Sequence, residues 1–443
     1  MKRLLFIFTF FILFVVNGRA QGVETLTLED CLRIGIDNNL SLESKRREIQ
    51  KSKYGVSENR ARLLPQISAV AGYSNNFDPP VSVTDGSSYG VPYNITQTLQ
   101  HSANAGLEMQ MPLFNQTLYT SMSIAKVVEE ISRLSYGKAR EDIILQISKM
   151  YYLGQVTAEQ IVLIKANITR LEELRDITQA FFDNGMSMEV DLKRVNINLE
   201  NLKVQYDNAQ AMMKQQLNML KYIMDYPAEK EIALTPVNTD SITTVALTGL
   251  SENLYELQLT QSQLELAERQ KRMITNGYIP SLSLTGNWRY AAYTDKGYHW
   301  FHSGPSNQWF RSYGVGLTLR IPIFDGLDKT YKIKKAMIDI ENKRLAWEDA
   351  RKNLQTQYLN AVNDLMNNQR NFKKQKDNYL LAEDVYAVTS DRYREGIASM
   401  TEVLQDEMQM SEAQNNYISA HYNYRVTNLM LLKLTGQIES LVK

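Results

Sequence analysis

Gly106-Leu107-Glu108-Met109-Gln110-Met111-Pro112-Leu113-Phe114 returns 210 positions later as Gly316-Leu317-Thr318-Leu319-Arg320-Ile321-Pro322-Ile323-Phe324. Both copies alternate a polar residue or glycine with an apolar one until they reach a proline. A period of two is the signature of a strand with two unlike faces. The stretch 281–290 alternates in the same way, and 67–73 places Ile67, Ala69, Ala71 and Tyr73 on one face although Val70 weakens the other. The duplication extends beyond the strands. Residues 61–68 return as 276–283, and 181–185 return as 392–396. A period near half the chain is not a solenoid. It is an internal tandem repeat, each copy reading helix, hairpin, long helix, turn, helix. The expected division is a first repeat at 21–225 with its hairpin at 66–111, a linker or equatorial segment at 226–248, and a second repeat at 249–443 with its hairpin at 281–321.

The helical stretches are long. Residues 115–182 contain no proline, and neither do 325–394. About 68 residues at 1.5 Å each make a rod of ~100 Å. The helices that follow explain how such rods are held. Leu192, Val195, Leu199, Leu202, Tyr206, Ala209 and Met213 step alternately by three and four; Gln216 interrupts, and Leu220 and Ile223 resume. The second copy gives Val403, Asp406, Met410, Ala413, Tyr417, Ala420, Tyr424, Leu431 and Leu434. This is a heptad seam, the pattern of coiled-coil packing.

Residues 1–20 read as a secretory signal peptide: Lys2 and Arg3, an apolar run over 4–16, then Gly18-Arg19-Ala20. The first helix of the mature chain starts near Thr27, whose hydroxyl forms a capping box with Asp30. The one cysteine, Cys31, lies well past the cleavage point, which excludes an internal disulfide and argues against lipidation. Basic and acidic residues are equal at 49 each, so there is no electrostatic footprint for nucleic acid. After the signal, no apolar segment approaches the roughly 20 residues of a spanning helix.

The strands, by contrast, have the length of tilted membrane strands. Their polar faces carry Glu108, Arg289 and Arg320, suited to a watery barrel lumen. Each pair is joined by a polar loop, 75–101 and 291–312, holding Pro79-Pro80, Asp85-Gly86 and Gly304-Pro305. Tyr89, Tyr93, Trp300, Phe301, Trp309 and Phe310 cluster there, as at a membrane interface. Pro65, Pro112, Pro280 and Pro322 are expected at the four joints between helix and strand. Four strands in lipid leave two open edges, which is not viable. The smallest familiar barrels have about eight, so two or more copies must share one barrel.

The whole mature chain resembles the TolC-type outer-membrane factor family. The residues that carry the likeness are 26–32 followed by Asn38-Asn39-Leu40, then Leu64-Pro65-Gln66-Ile67-Ser68, Met111-Pro112-Leu113-Phe114, 321–326 and the glycine turns. The resemblance implies a mainly α fold with a membrane β part: a long coiled-coil helical barrel plus a β-barrel to which each protomer gives four strands. It further implies a homotrimer in the outer membrane of a Gram-negative bacterium, extending into the periplasm. Its function would be that of a passive exit duct in tripartite efflux or type I secretion, with a periplasmic adaptor (membrane fusion protein) and an inner-membrane pump of RND or ABC type. By position, the adaptor-docking tips are Asn184, Gly185 and Met186, and Glu395, Gly396 and Ile397. Family members place acidic residues six and nine positions after the second tip glycine, closing the periplasmic mouth. Here those positions hold Glu402 and Gln405, with Asp406 next; the first copy has Asp191 and Arg194. One acidic ring is therefore expected more readily than two, with Asp406 pairing an arginine such as Arg194.

No catalytic, cofactor or metal motif is present. His299 and His302 share a loop without cysteine or an H-E-x-x-H context. Neither a P-loop, a dinucleotide fingerprint nor a nucleophile elbow occurs. The alternative from another class is a non-channel periplasmic or surface coiled-coil interaction protein whose hairpins cap the rods.

Overall fold

The computed structural model describes residues 24–78, 81–84, 94–97, 99–236, 249–294 and 309–442. The signal segment 1–20, Pro79-Pro80, Asp85-Gly86, Tyr89, Tyr93, His299, Trp300, Phe301, His302, Gly304-Pro305 and part of the 226–248 linker lie outside them. The elements run β1 (Glu24–Leu26), α1 (Leu28–Asn38), α2 (Leu40–Ala61), β2 (Gln66–Asn75), β3 (Val81–Thr84), β4 (Asn94–Gln97), β5 (His101–Phe114), α3 (Gln116–Asp183), α4 (Glu189–Met224), β6 (Ile232–Leu234), α5 (Tyr255–Asn276), β7 (Ser281–Thr294), β8 (Trp309–Arg320), α6 (Asp328–Arg394) and α7 (Met400–Leu434). The fold is mainly helical. α3 has 68 residues and α6 has 67, each without a break.

One compact unit gathers the described residues of Met1–Arg47, Leu134–Gln258 and Glu348–Lys443. α1 begins in the expected capping box: the Asp30 N–H donates to Thr27 Oγ1 at 3.1 Å, and Asp30 Oδ2 accepts from the Thr27 N–H at 3.2 Å. α1 buries Cys31 and Leu32 in a cluster with Ile144, Ile147, Leu220, Met224, Ile232 and Leu429. The parallel β1–β6 pair, Glu24 to Ile232 through Leu26 to Leu234, closes the same core. Burial pushes the Cys31 thiol up to about 12, so this sulfur packs as a small hydrophobe.

In α4 the seam residues Val195, Leu199, Leu202, Ala209, Leu220 and Ile223 are buried, while Leu192, Tyr206 and Met213 are half-buried. Gln216 is a correction. It does not interrupt the frame but is buried within it, at the heptad position that Val195, Leu202, Ala209 and Ile223 share. α7 buries Val403, Met410, Ala413, Tyr417, Ala420, Tyr424, Leu431 and Leu434 as expected, but Asp406 is only half-buried. The buried acid is its neighbour Glu407, which opens a second heptad row of polar residues: Glu407, Gln414, His421 and Asn428. On α6 the heptad row Leu365, Phe372, Tyr379, Tyr386 and Tyr393 faces the core clusters. Phe372 stacks with Tyr417 and Tyr424 at 5.8 Å each.

The other unit gathers the described residues of Glu48–Arg133 and Leu259–Trp347. It holds a four-stranded antiparallel sheet in the order β2-β5-β7-β8. The strands outrun the sequence expectation: β5 and β7 have 14 residues each and β8 has 12. The stretch 75–101 is not simply a loop, because β3 and β4 pair within it from Val81–Gln97 to Thr84–Asn94. Pro65, Pro280 and Pro322 stand at helix–strand joints, but Pro112 lies inside β5, paired with Ser283 beside a register shift. The ladder explains the exception. Pairing with β2 ends at Gln66–Gln110, so at Pro112 β5 has only β7 as a neighbour and a missing N–H is tolerated.

Glu141 supplies a test of the helical core. Its side chain is buried, and burial raises its carboxyl from 4.5 to about 7, against the opposing pull of Lys433. A raised acid favours the protonated folded state, so this contribution is complete below pH 4.5 and is lost as pH rises through 7. Glu141→Gln should therefore raise the melting temperature at pH 8, with a gain on the order of 2 kcal/mol, and leave it unchanged at pH 4. Equal melting curves at both pH values would sink the assignment.

Candidate functional site

The sheet sorts its side chains by register. Paired residues in an antiparallel ladder point to the same face. Gln66 meets Gln110 and Gln110 meets Thr285; Ser68 meets Glu108 and Glu108 meets Asn287; Ser281 meets Arg320. These residues, with Ser102, Asn104, Ser283, Arg289, Ser312 and Thr318, make one face polar from edge to edge. Glu108, Arg289 and Arg320 thus share a face, and Arg289 Nη2 donates to Glu108 Oε1 at 2.7 Å. The opposite face carries Ile67, Tyr73, Leu107, Met109, Leu282, Leu284, Trp288, Tyr313, Val315, Leu317 and Leu319. It is bare along β8, where Tyr313 is 76% exposed, Val315 79% and Leu317 67%; Met109, Leu282 and Leu284 on the inner strands are half-buried, and Arg311 shares the face with its guanidinium over the Tyr313 ring. Beyond β8 the alternation continues to Ile323, 93% exposed. β2 and β8 are the two edges, each hydrogen-bonded to one neighbour only.

The two glycine turns are built alike. α3 ends with the Gly185 N–H donating to Phe182 O at 2.9 Å and the Met186 N–H to Phe181 O at 2.8 Å. α6 ends with the Gly396 N–H donating to Tyr393 O at 2.9 Å and the Ile397 N–H to Arg392 O at 2.8 Å. Both are Schellman motifs, with φ at +72° and +76°. A Cβ on either glycine would meet nothing within 4 Å, so backbone conformation and not space selects glycine. Asn184 and Glu395 flank these turns. Met186 and Ile397 project outward, 70% and 62% exposed. Phe181 and Tyr393 pack at 5.6 Å between centroids, which brings the two turns side by side.

The residues expected at the mouth are only partly brought together. Arg194 Nη1 donates to Asp191 Oδ1 at 3.4 Å and to Thr401 Oγ1 at 3.3 Å. It does not pair Asp406, which corrects the expectation. Glu402 is occupied as the third residue of a capping box: the Ser399 N–H donates to its Oε2 at 2.8 Å, and its own N–H donates to Ser399 Oγ at 3.3 Å. The Ser399 backbone N–H holds the Glu402 carboxyl below the ordinary range. Gln405 is exposed. Asp406 has no ion-pair or hydrogen-bond partner among the described residues.

Sequence reading missed the buried polar row on α7. Asn167 Nδ2 donates to Gln414 Oε1 at 2.7 Å. Tyr417 Oη donates to Glu159 Oε1 at 3.1 Å, and Arg425 Nε donates to His421 Nε2 at 2.9 Å. The seven-residue spacing of Glu407, Gln414, His421 and Asn428 was the available signal, hidden because heptads are sought among apolar residues.

Known proteins share this plan. Vibrio cholerae outer membrane protein TolC is 20% identical over 454 positions, covering 99% of this chain and 96% of that protein. The probable efflux pump outer membrane protein TtgC of Pseudomonas putida is 22% identical over 440 positions, covering 95% and 85%. Among solved structures, CusC aligns with a TM-score of 0.77 at 16% identity, covering 92% of this chain and 91% of that one. The open state of the Neisseria gonorrhoeae MtrE outer membrane channel aligns with a TM-score of 0.73 at 19% identity, covering 92% and 88%. The sequence model of outer membrane efflux proteins matches residues 34–224 and 250–437. With more than half its length matched, the chain belongs to the outer membrane efflux protein family.

Proposed function

We propose that this protein is a passive exit duct: three copies close their four-stranded sheets into one barrel across the outer membrane, and their long helices line a tube in the periplasm. Family membership makes the chain an outer-membrane protein and not an enzyme. The observation that carries the finer reading is the sheet with one apolar face bare, one polar face continuous and two open edges. In lipid each unpaired backbone group costs several kcal/mol, so spanning sheets must close. Two such sheets make eight strands and three make twelve, both acceptable barrels; the family resemblance favours three. The apolar face then meets lipid and the polar face, with Glu108, Arg289 and Arg320, lines water. The matching order of elements, helix, hairpin, long helix, turn, helix, supports two structural repeats.

A second observation supports several copies. Tyr331, Ile338 and Leu345 in the first part of α6, and Leu359, Met366 and Leu380 in its last part, lie on one heptad row and are exposed, with Lys352 and Lys373 at the two positions between them. Such a row is an unmatched coiled-coil seam, which neighbouring copies would cover. The exposed tips at Met186 and Ile397 suit docking by a periplasmic adaptor, which connects an inner-membrane pump of RND or ABC type. A carboxylate ring at the mouth would rest chiefly on Asp406, whose charge is unmatched, with the Asp191–Arg194 pair beside it; Glu402 is committed to its helix cap.

Purified in detergent, the mature protein should run as a trimer and conduct ions in planar bilayers. A monomer soluble in plain buffer, with no conductance, would favour the coiled-coil interaction protein instead.

At the mouth, Asp406→Ala should raise resting conductance and weaken block by divalent cations. Glu402→Ala should mainly loosen the start of α7, where its carboxylate accepts from the Ser399 N–H. Unchanged conductance in Asp406→Ala removes that residue from the gate.

At the tips, Gly185→Val with Gly396→Val forces β-branched residues into left-handed backbone, at roughly 1–2 kcal/mol each. Export should fail while trimers remain in the membrane; normal export would dismiss tip docking.

A further inference from the structure

The polar face of the sheet is not electrically neutral. Among the described residues of β2, β5, β7 and β8 it holds three charges: Glu108, Arg289 and Arg320. Glu108 and Arg289 neutralise one another at 2.7 Å. Arg320 has no carboxylate within ion-pair distance among the described residues. It stands at the last position of β8, paired in register with Ser281, the first residue of β7. Around it opens a cleft of about 580 Å³, lined by Arg62, Gln66, Gln110, Ser283 and Thr318 among others. None of the described residues lining that cleft is acidic. Arg62 is matched by Glu58 at 2.8 Å, which leaves Arg320 as the unmatched charge of the cleft. The remaining polar groups are amides and hydroxyls, able to donate hydrogen bonds to an oxyanion.

We propose that Arg320 makes the passage through the sheet selective for anions, so that the cargo class the duct favours is small organic acids bearing carboxylate, sulfonate or phosphate groups. The proposal rests on the duct reading, in which one Arg320 from each copy faces the lumen at a common level. A guanidinium stays charged at every accessible pH, so the preference holds across the physiological range. It acts on permeating ions through water, where two charges 4 Å apart interact by about 1 kcal/mol. At twice that distance the effect is about half, or roughly a twofold change in permeability. Such an effect decides preference between ions without trapping either.

The test is the reversal potential of the reconstituted full-length channel in planar bilayers under a gradient of potassium chloride, and then of potassium benzoate. Relative to wild type, Arg320→Gln should lower the anion-to-cation permeability ratio by roughly twofold or more, Arg320→Glu should lower it further, and Arg320→Lys should preserve it. Gln110→Glu leaves Arg320 in place and should shift the ratio in the same direction as Arg320→Gln, so the result does not depend on one variant folding. The differences should shrink near 1 M salt, where the screening length is about 3 Å. Because variants are compared with one another, charges elsewhere along the conduit cancel. Conducting channels with identical ratios in wild type, Arg320→Gln and Arg320→Glu would overturn the charge assignment and leave the duct standing. No conductance from any variant would overturn the duct, and this proposal with it.

Discussion

An open four-stranded sheet with a bare apolar face is the constraint on which the rest of this molecule depends. In water, the row Tyr313, Val315, Leu317, Leu319 on β8 would expose a long flat apolar edge strand, the feature that soluble proteins avoid because it templates aggregation. In lipid the same face is solvated, but the backbone groups along β2 and β8 are not. Neither solvent suits one copy alone. Closure with further copies removes both objections, which is why oligomerisation is a condition of the fold on this reading and not an addition to it. The polar face follows from the same period of two: once one side meets lipid, the other encloses water, and the Glu108–Arg289 pair can form there without burying an unpaired charge.

The helices meet a related demand by other means. A rod of 68 residues cannot wrap around a core; it must be packed along its length, and a seven-residue repeat keeps one seam turned toward its partners. α4 and α7 do so with Val195, Leu199 and Leu202 and with Val403, Met410, Tyr417 and Tyr424. α6 carries two rows: an aromatic one, Phe372, Tyr379, Tyr386 and Tyr393, toward the core, and an aliphatic one left exposed. A helix that is apolar on two separated faces has more than one partner to cover.

The elements whose physics is local could be read from sequence alone. The capping box at Thr27 and Asp30, the glycine turns at Gly185 and Gly396 and the unbroken span of α3 all depend on residues within a turn or a short period of one another. The alternating strands were visible for the same reason, and their parity placed Glu108, Arg289 and Arg320 each on the polar face of its own strand; that these faces join is a fact of the ladder. What failed depended on distant partners. Pro112 looked like a joint because proline is poor in a ladder; that β2 stops two residues earlier is a fact of pairing. The β3–β4 pair was hidden in a polar stretch. At the candidate mouth, counting from Gly396 found Glu402 and Gln405, with Asp406 next, but not that Ser399 occupies Glu402, nor that Arg194 turns to Asp191 instead of Asp406.

The buried polar row on α7 answers a question that the apolar seam leaves open. A strict heptad of apolar residues is nearly indifferent to sliding by seven positions, because each level resembles the next. Asn167 and Gln414 break that indifference. Their amides exchange hydrogen bonds, Asn167 Nδ2 to Gln414 Oε1 and Gln414 Nε2 back to Asn167 Oδ1, a reciprocal pairing that the separate donor and acceptor of each amide permit. Slide α7 by one heptad, and Asn167 faces Glu407 or His421 instead. Either slip replaces the reciprocal amide pair by a carboxylate or an imidazole, which offers Asn167 one hydrogen bond in place of two, a loss of about 1 kcal/mol. The polar row therefore costs stability compared with leucine at the same positions and in return discriminates one register of the long helices from its neighbours. For rods of this length register is what sets the level of the glycine turns, since an error of one heptad displaces a helix end by about 10 Å. A paired tip such as Phe181 against Tyr393 is possible only where that slip is forbidden.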